Sequence, residues 1–193
     1  MFKKLFLTSV LCIGLMMVLG IKDADAFRLA GFSFNPGGSV YCNSDWKGIG
    51  NLEKEDIYAE VECVIEPQSV QVLCMNPGGN IGGLGNPFTT SAVIDLFDVI
   101  DEGQLTGKGK ASSTIYFSDQ YIWENLFPGE YEFPPETCDQ NQNWGVVSID
   151  GGGIVIIVET YVTLNGYSDG GVLEDSETFF CTLNATGDEY SCE

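Results

Sequence analysis

The residues of this 193-residue chain whose types could do chemistry are mainly carboxylates. There is no histidine, and Arg28 is the one arginine. A Ser-His-Asp or Cys-His nucleophile, a histidine-held metal and an arginine phosphate clamp therefore lack their central residue. Glu60 and Glu62 share a strand face with Tyr58, and Glu159 lies two residues from Tyr161. A pair of carboxylates across an aromatic-lined groove is what a glycoside hydrolase uses, although the same acids also suit solvent-facing strand positions. Asp169, Glu174, Asp175 and Glu177 surround Gly170-Gly171 and are the candidate Ca²⁺ ligands, outside any EF-hand loop pattern. Tyr116, Tyr121, Trp123, Tyr131, Trp144, Tyr161 and Tyr167 are more aromatics than a core needs, and exposed rings of this type stack on sugars.

The compartment in which such residues act follows from the first 26 residues. Lys3 and Lys4 precede an apolar run from Leu5 to Gly20, and Ala24-Asp25-Ala26 is a small-x-small cleavage site. These features predict a secretory signal peptide over 1–26, with a single mature domain over 27–193. No later run is long and apolar enough to span a membrane. Loss of Lys3, Lys4, Lys22, Asp23 and Asp25 with the leader leaves five basic and 26 acidic side chains, a net charge of −21. Such a surface repels phosphate, which makes nucleic acid and anionic lipid poor candidates as partners. Removal of Cys12 leaves Cys42, Cys63, Cys74, Cys138, Cys181 and Cys192, an even set that predicts disulfides in a secreted, periplasmic or cell-surface protein. No Cys-x-x-Cys pair suggests zinc or redox chemistry.

The elements that must position these residues read as strands. Phe27 to Phe34 is an edge strand, and Ser39 to Asn43 a short strand carrying Cys42. Asp45 to Asp56 reads as a polar connection. From Ile57 to Asn80, Ala59, Val61, Cys63 and Ile65 fall on one face, and Val70, Val72 and Cys74 on one face of the next run. Glu66-Pro67-Gln68-Ser69 between them holds turn formers, so the stretch reads as a hairpin whose register allows a Cys63–Cys74 bridge. Glycines 78, 79, 82, 83 and 85 form a loop without the lysine of a phosphate cradle. Phe88 to Asp101 reads as a strand through about Leu96, with an amphipathic helix as the alternative. Ser112 to Trp123 is one strand, Trp144 starts another, and Ile154 to Leu164 is the strongest, closed by an Asn165-Gly166 turn.

In the last hairpin, pairing Cys181 with Cys192 sets Leu183 against Tyr190 on one face and Thr182 against Ser191 on the other. A bridge there stabilises by about 3 kcal/mol in the chain-entropy model. With Cys63–Cys74 also formed, Cys42 and Cys138 would pair; the rival set is Cys42–Cys63 with Cys74–Cys138. Three motifs bear on this choice: Cys74-Met75-Asn76-Pro77-Gly78-Gly79-Asn80, Leu105-Thr106-Gly107-Lys108-Gly109, and Cys138-Asp139-Gln140-Asn141-Gln142-Asn143-Trp144. Over residues 57 to 150 the chain resembles small exported bacterial β-rich proteins carrying such motifs. The resemblance implies no activity, but it favours the rival pairing, since the two cysteine motifs occur together.

These patterns predict an all-β antiparallel sandwich, immunoglobulin-like or jelly-roll-like, of seven to nine short strands. The function they suggest is an exported, non-enzymatic structural, adhesive or surface-assembly module, with a second copy or a glycan as its candidate partner. A carbohydrate- or calcium-binding module is the alternative, and a carboxylate-based glycoside hydrolase the more distant one.

Overall fold

The computed structural model describes residues 27–36, 39–49, 59–101, 104–106, 109–128, 138, 144–149, 152–168 and 170–193. The expected leader and Tyr58 lie outside the described residues. In chain order the strands are β1 (Arg28–Pro36), β2 (Val40–Lys47), β3 (Ala59–Met75), β4 (Ile81–Leu84), β5 (Ile94–Ile100) and β6 (Ala111–Phe117). After helix α1 (Asp119–Leu126) come β7 (Gly145–Val146), β8 (Ser148–Ile149), β9 (Gly152–Gly153), β10 (Val155–Ser168), β11 (Val172–Leu183) and β12 (Tyr190–Cys192). A three-stranded sheet, β1-β2-β6, faces a larger one in which β12-β11-β10-β3 run side by side, with β5 and β4 on opposite stretches of β3. All pairings are antiparallel, and the whole is a curled β-sandwich.

The predicted hairpin at Glu66–Ser69 does not exist. Instead β3 is a single 17-residue strand. Its buried positions are Val61, Cys63, Ile65 and Pro67, then Val70, Val72 and Cys74, so the inward phase slips once. On β10 the buried series Val155 and Ile157 changes to Thr160, Val162 and Leu164 at the same level. The ladder there pairs Pro67 with Thr160, Ser69 with Glu159 and Val70 with Ile157, leaving Gln68 and Val158 as extra residues on opposite strands. Two opposed bulges thus keep both runs facing the core. In sequence a phase slip beside a proline looks the same for a turn and a bulge. Along one strand Cys63 and Cys74 are about 36 Å apart, so they cannot bond.

The disulfides are Cys42–Cys63, Cys74–Cys138 and Cys181–Cys192. Cys42 lies on the central strand of the small sheet and Cys63 on the most heavily paired strand of the large one, so the first bridge staples sheet to sheet through the core. The last hairpin has the register its faces demand, with Thr182 opposite Ser191 and Leu183 opposite Tyr190.

Two seams close the sandwich. At one, Phe32 stacks on Phe179 at 4.6 Å, Phe34 meets Tyr190 at 4.6 Å, and the Leu29 amide donates to Asp175 Oδ2 at 2.8 Å. At the other, the Ser113 hydroxyl of β6 donates to Asp98 Oδ2 of β5 at 2.6 Å. The segment 88–101 holds a strand rather than a helix, but it runs from Ile94 to Ile100 instead of from Phe88 to about Leu96.

Each of the protein's three tryptophans sits against a strand glycine. Trp46 and Phe27 cover Gly166 of β10, Trp123 covers Gly153 of β9, and Trp144 covers Gly82 of β4. Gly166 explains a second departure from the sequence reading. Asn165-Gly166 lies inside β10, and the chain turns instead at Gly170 and Gly171, whose φ angles are 85° and 75°. The third departure is α1, where a continuous strand through Trp123 was expected. Ser118 ends that strand and caps the helix, its hydroxyl accepting from the Tyr121 amide at 3.1 Å, and Ile122, Trp123 and Leu126 face the core.

A Cβ at Gly166 would come within 2.6 Å of Trp46 and 2.8 Å of Phe27. Gly166→Ala should therefore destabilise by about 1–3 kcal/mol, seen as an earlier urea midpoint with an unchanged slope. An unaltered midpoint would contradict this packing.

Candidate functional site

The outward side chains of the small sheet form three rungs across β1, β2 and β6. The first is Asn35, Tyr41 and Tyr116; the second Ser33, Asn43 and Thr114; the third Gly31, Asp45 and Ser112. The inward residues of β2 and β6 (Val40, Cys42, Trp46, Ala111, Ile115 and Phe117) anchor the sheet to the core, so period-two alternation fixes the polar set outside. Successive rungs are about 7 Å apart. Over the second and third rungs lies an open hollow of about 500 Å³, lined by Ser33, Asn43, Asp45, Ser112 and Thr114.

Within the hollow the side chains are held in place. The Thr114 hydroxyl donates to Asn43 Oδ1 at 2.9 Å, which turns the amide NH₂ of Asn43 outward as a donor. The Ser112 hydroxyl donates to Asp45 Oδ1 at 2.6 Å. On its other side Asp45 faces Gly31, where a Cβ would sit 3.4 Å from Oδ2, so glycine leaves that oxygen open. At the first rung the Tyr41 and Tyr116 rings lie 5.0 Å apart and tilted by 43°, and Ser39 Oγ and Tyr116 Oη share a 2.7 Å hydrogen bond. Both rings are exposed.

A second hollow of about 320 Å³ lies between β2, α1, the start of β10 and the β11–β12 turn. Val40, Val155, Ile157, Leu183 and Tyr190 give it an apolar floor, and Asp119 and Asp188 flank it. Burial raises the Asp119 carboxyl above its ordinary range. Hydrogen bonds from Thr186 and Asn184 hold Asp188 below its own.

The residues singled out from sequence fall elsewhere and mostly apart. Glu60 and Glu62 are on the outer face of the large sheet. Glu62 Oε2 accepts from Asn165 Nδ2 and from the Tyr167 hydroxyl, both at 2.8 Å, and the latter bond raises the Tyr167 phenol. On the same face Glu159 pairs with Ser69, whereas Glu62 pairs with Asn165. Six strand residues separate the two levels, about 20 Å, well beyond the carboxylate spacing of a glycosidase.

The calcium candidates also diverge. Glu174 accepts from Ser168 at 2.6 Å and Asp175 from the Leu29 amide, at a bulge where Glu174 has no cross-strand partner on β10. Among the described residues no three Cys, Asp or Glu side chains gather as a metal site; Asp169 lies outside them.

Among the aromatics Trp123 is buried, and Trp144 is half-buried on Gly82. Tyr121 is half-buried beside Phe117 and donates to the Asp95 carbonyl at 2.8 Å. Tyr161 is exposed beside Phe180, and Tyr131 lies outside the described residues. Of these, among the described residues, Tyr116 alone belongs to the three-rung face, where it stands beside Tyr41. The sequence alternates Tyr41, Asn43, Asp45 and Ser112, Thr114, Tyr116 in steps of two, a visible signal. What sequence could not show is that strands some 70 residues apart stand side by side.

The hydroxyl of Tyr190, on the floor of the second hollow, donates to the Ile157 carbonyl at 2.6 Å, and burial pushes its phenol well above the ordinary range. A raised folded pKa gives stability that is fully present below the unfolded value, about 10, and lost as pH rises beyond it. Tyr190→Phe should cost about 1 kcal/mol at neutral pH and should flatten the alkaline fall in stability. Equal alkaline slopes in urea titrations of the two proteins would contradict this. Neither protein-family models, nor curated proteins, nor solved structures match this chain.

Proposed function

We propose that the protein is an exported, non-enzymatic adhesive or structural module that works through its sheet faces. The observation that carries this is the form of the three-rung face: side chains fixed by hydrogen bonds on a strand ladder, open to solvent, with Asp45 the single carboxylate among them. The disulfides support the exported setting, because bonds such as Cys42–Cys63 persist in oxidising compartments. Among the described residues no helix is long and apolar enough to cross a membrane.

A second reading, a carboxylate hydrolase, rests on the hollow flanked by Asp119 and Asp188. One carboxyl there is pushed toward its neutral form and the other toward its charged form, the division acid–base catalysis uses. The two readings separate in one assay. The secreted chain, once mass spectrometry has located its mature amino terminus (expected at Phe27), is incubated with aryl glycosides and with soluble polysaccharides. The proposal expects no product above buffer. Turnover that disappears in Asp119→Asn would overturn it in favour of the hydrolase.

A further inference from the structure

We infer that the outer face of the β1-β2-β6 sheet is a binding site for a neutral oligosaccharide. Sugar rings stack on Tyr41 and Tyr116, and sugar hydroxyls bond to Asn43 and Asp45. This deepens the reading of the protein as a non-enzymatic adhesive module and rests on it.

The chemistry of the face selects the ligand. A sugar hydroxyl both donates and accepts, so it fits a site that offers the two functions side by side. Asn43 presents its NH₂ because Thr114 occupies its carbonyl oxygen, and Asp45 presents Oδ2 because Ser112 occupies Oδ1. The two lie at adjacent levels of β2, about 7 Å apart, on the same face. A carboxylate accepting from a hydroxyl makes one of the stronger hydrogen bonds available to a neutral ligand. Next along β2, the Tyr41 and Tyr116 rings give the apolar face of a pyranose a surface to stack on. From these rings to Asp45 the face extends about 14 Å, which accommodates a chain of sugars rather than a single ring.

Other ligand classes fit less well. A peptide joining by strand addition would use the outer edges of β1 or β6, which meet the large sheet at the two seams, and not the outward face of the rungs. Aliphatic side chains are absent from the three rungs, so an apolar ligand finds no floor. Anionic glycans and nucleic acids meet Asp45 locally and a net charge of −20 overall.

The test uses the secreted, disulfide-bonded protein with cellohexaose, maltohexaose and chitohexaose as probes and hexagalacturonate as the anionic comparison. Backbone amide shifts and released reducing ends are followed in the same samples. The expected result is saturable binding of at least one neutral probe, with shifts centred on Tyr41, Asn43, Asp45 and Thr114 and no binding of hexagalacturonate. Asp45→Ala and Tyr116→Ala should each weaken binding about tenfold or more, and Phe97→Ala on the other sheet should leave it unchanged. Asp45→Asn, which keeps the shape of the side chain, serves if the alanine variant unfolds, and it too should weaken binding. Absence of binding to all three neutral probes, or binding indifferent to Asp45 and Tyr116, would overturn the inference. Release of reducing ends with binding intact would instead overturn the non-enzymatic reading and leave the sugar site standing.

Discussion

The fold depends on the ladder between β3 and β10. These two strands pair from Glu60 with Tyr167 to Val72 with Val155, and their inward side chains form the middle of the core. So long a pair could not stay in phase with a curved core unless both strands shifted together. The opposed bulges at Gln68 and Val158 make that shift, and Pro67, which has no amide to donate, falls where the ladder is already interrupted. Every other large-sheet strand is registered on this pair directly or through β11, and Cys63 carries the registration across to Cys42 and the small sheet.

That arrangement explains what was legible in the sequence and what was not. Period-two burial was readable nearly everywhere, which is why the β-sandwich class and the last hairpin's register could be inferred. Alternation reports which side chains share a face; it does not report whether the chain continues or folds back when the phase slips. The turn assigned to Glu66–Ser69 failed for this reason, and the one assigned to Asn165-Gly166 failed because a pair that turns favour sits in a strand whose alternation continues. Pro67 and Gly166 are residues that turns favour, yet here they serve a bulge and a seat for Trp46. The helix after Phe117 was hidden by strand-favouring residues such as Tyr121 and Ile122, and only Ser118-Asp119 marked its start.

The site was less legible than the fold. Sequence draws attention to acids in conspicuous company, such as Glu62 near Tyr58 or Glu174 beside Asp175, whereas in the fold Glu174 bonds Ser168 and Asp175 the Leu29 amide. The three-rung face draws Gly31, Asn43, Asp45 and Thr114 from three separate stretches, and none stands out alone. Its precision comes from hydrogen bonds that use up one function of each side chain and leave the other open. Those bonds span 67 and 71 residues of sequence, distances that no local pattern encodes.

The tryptophan–glycine contacts have a spectroscopic consequence. Each indole lies against a strand glycine, and each belongs to a different region: Trp46 to the junction of the sheets, Trp123 to the helix, Trp144 to the glycine-rich β4. Their emission colours and lifetimes therefore form three local gauges of hydration built into one chain. Replacing two indoles at a time would show in which order water reaches the three regions as the protein comes apart.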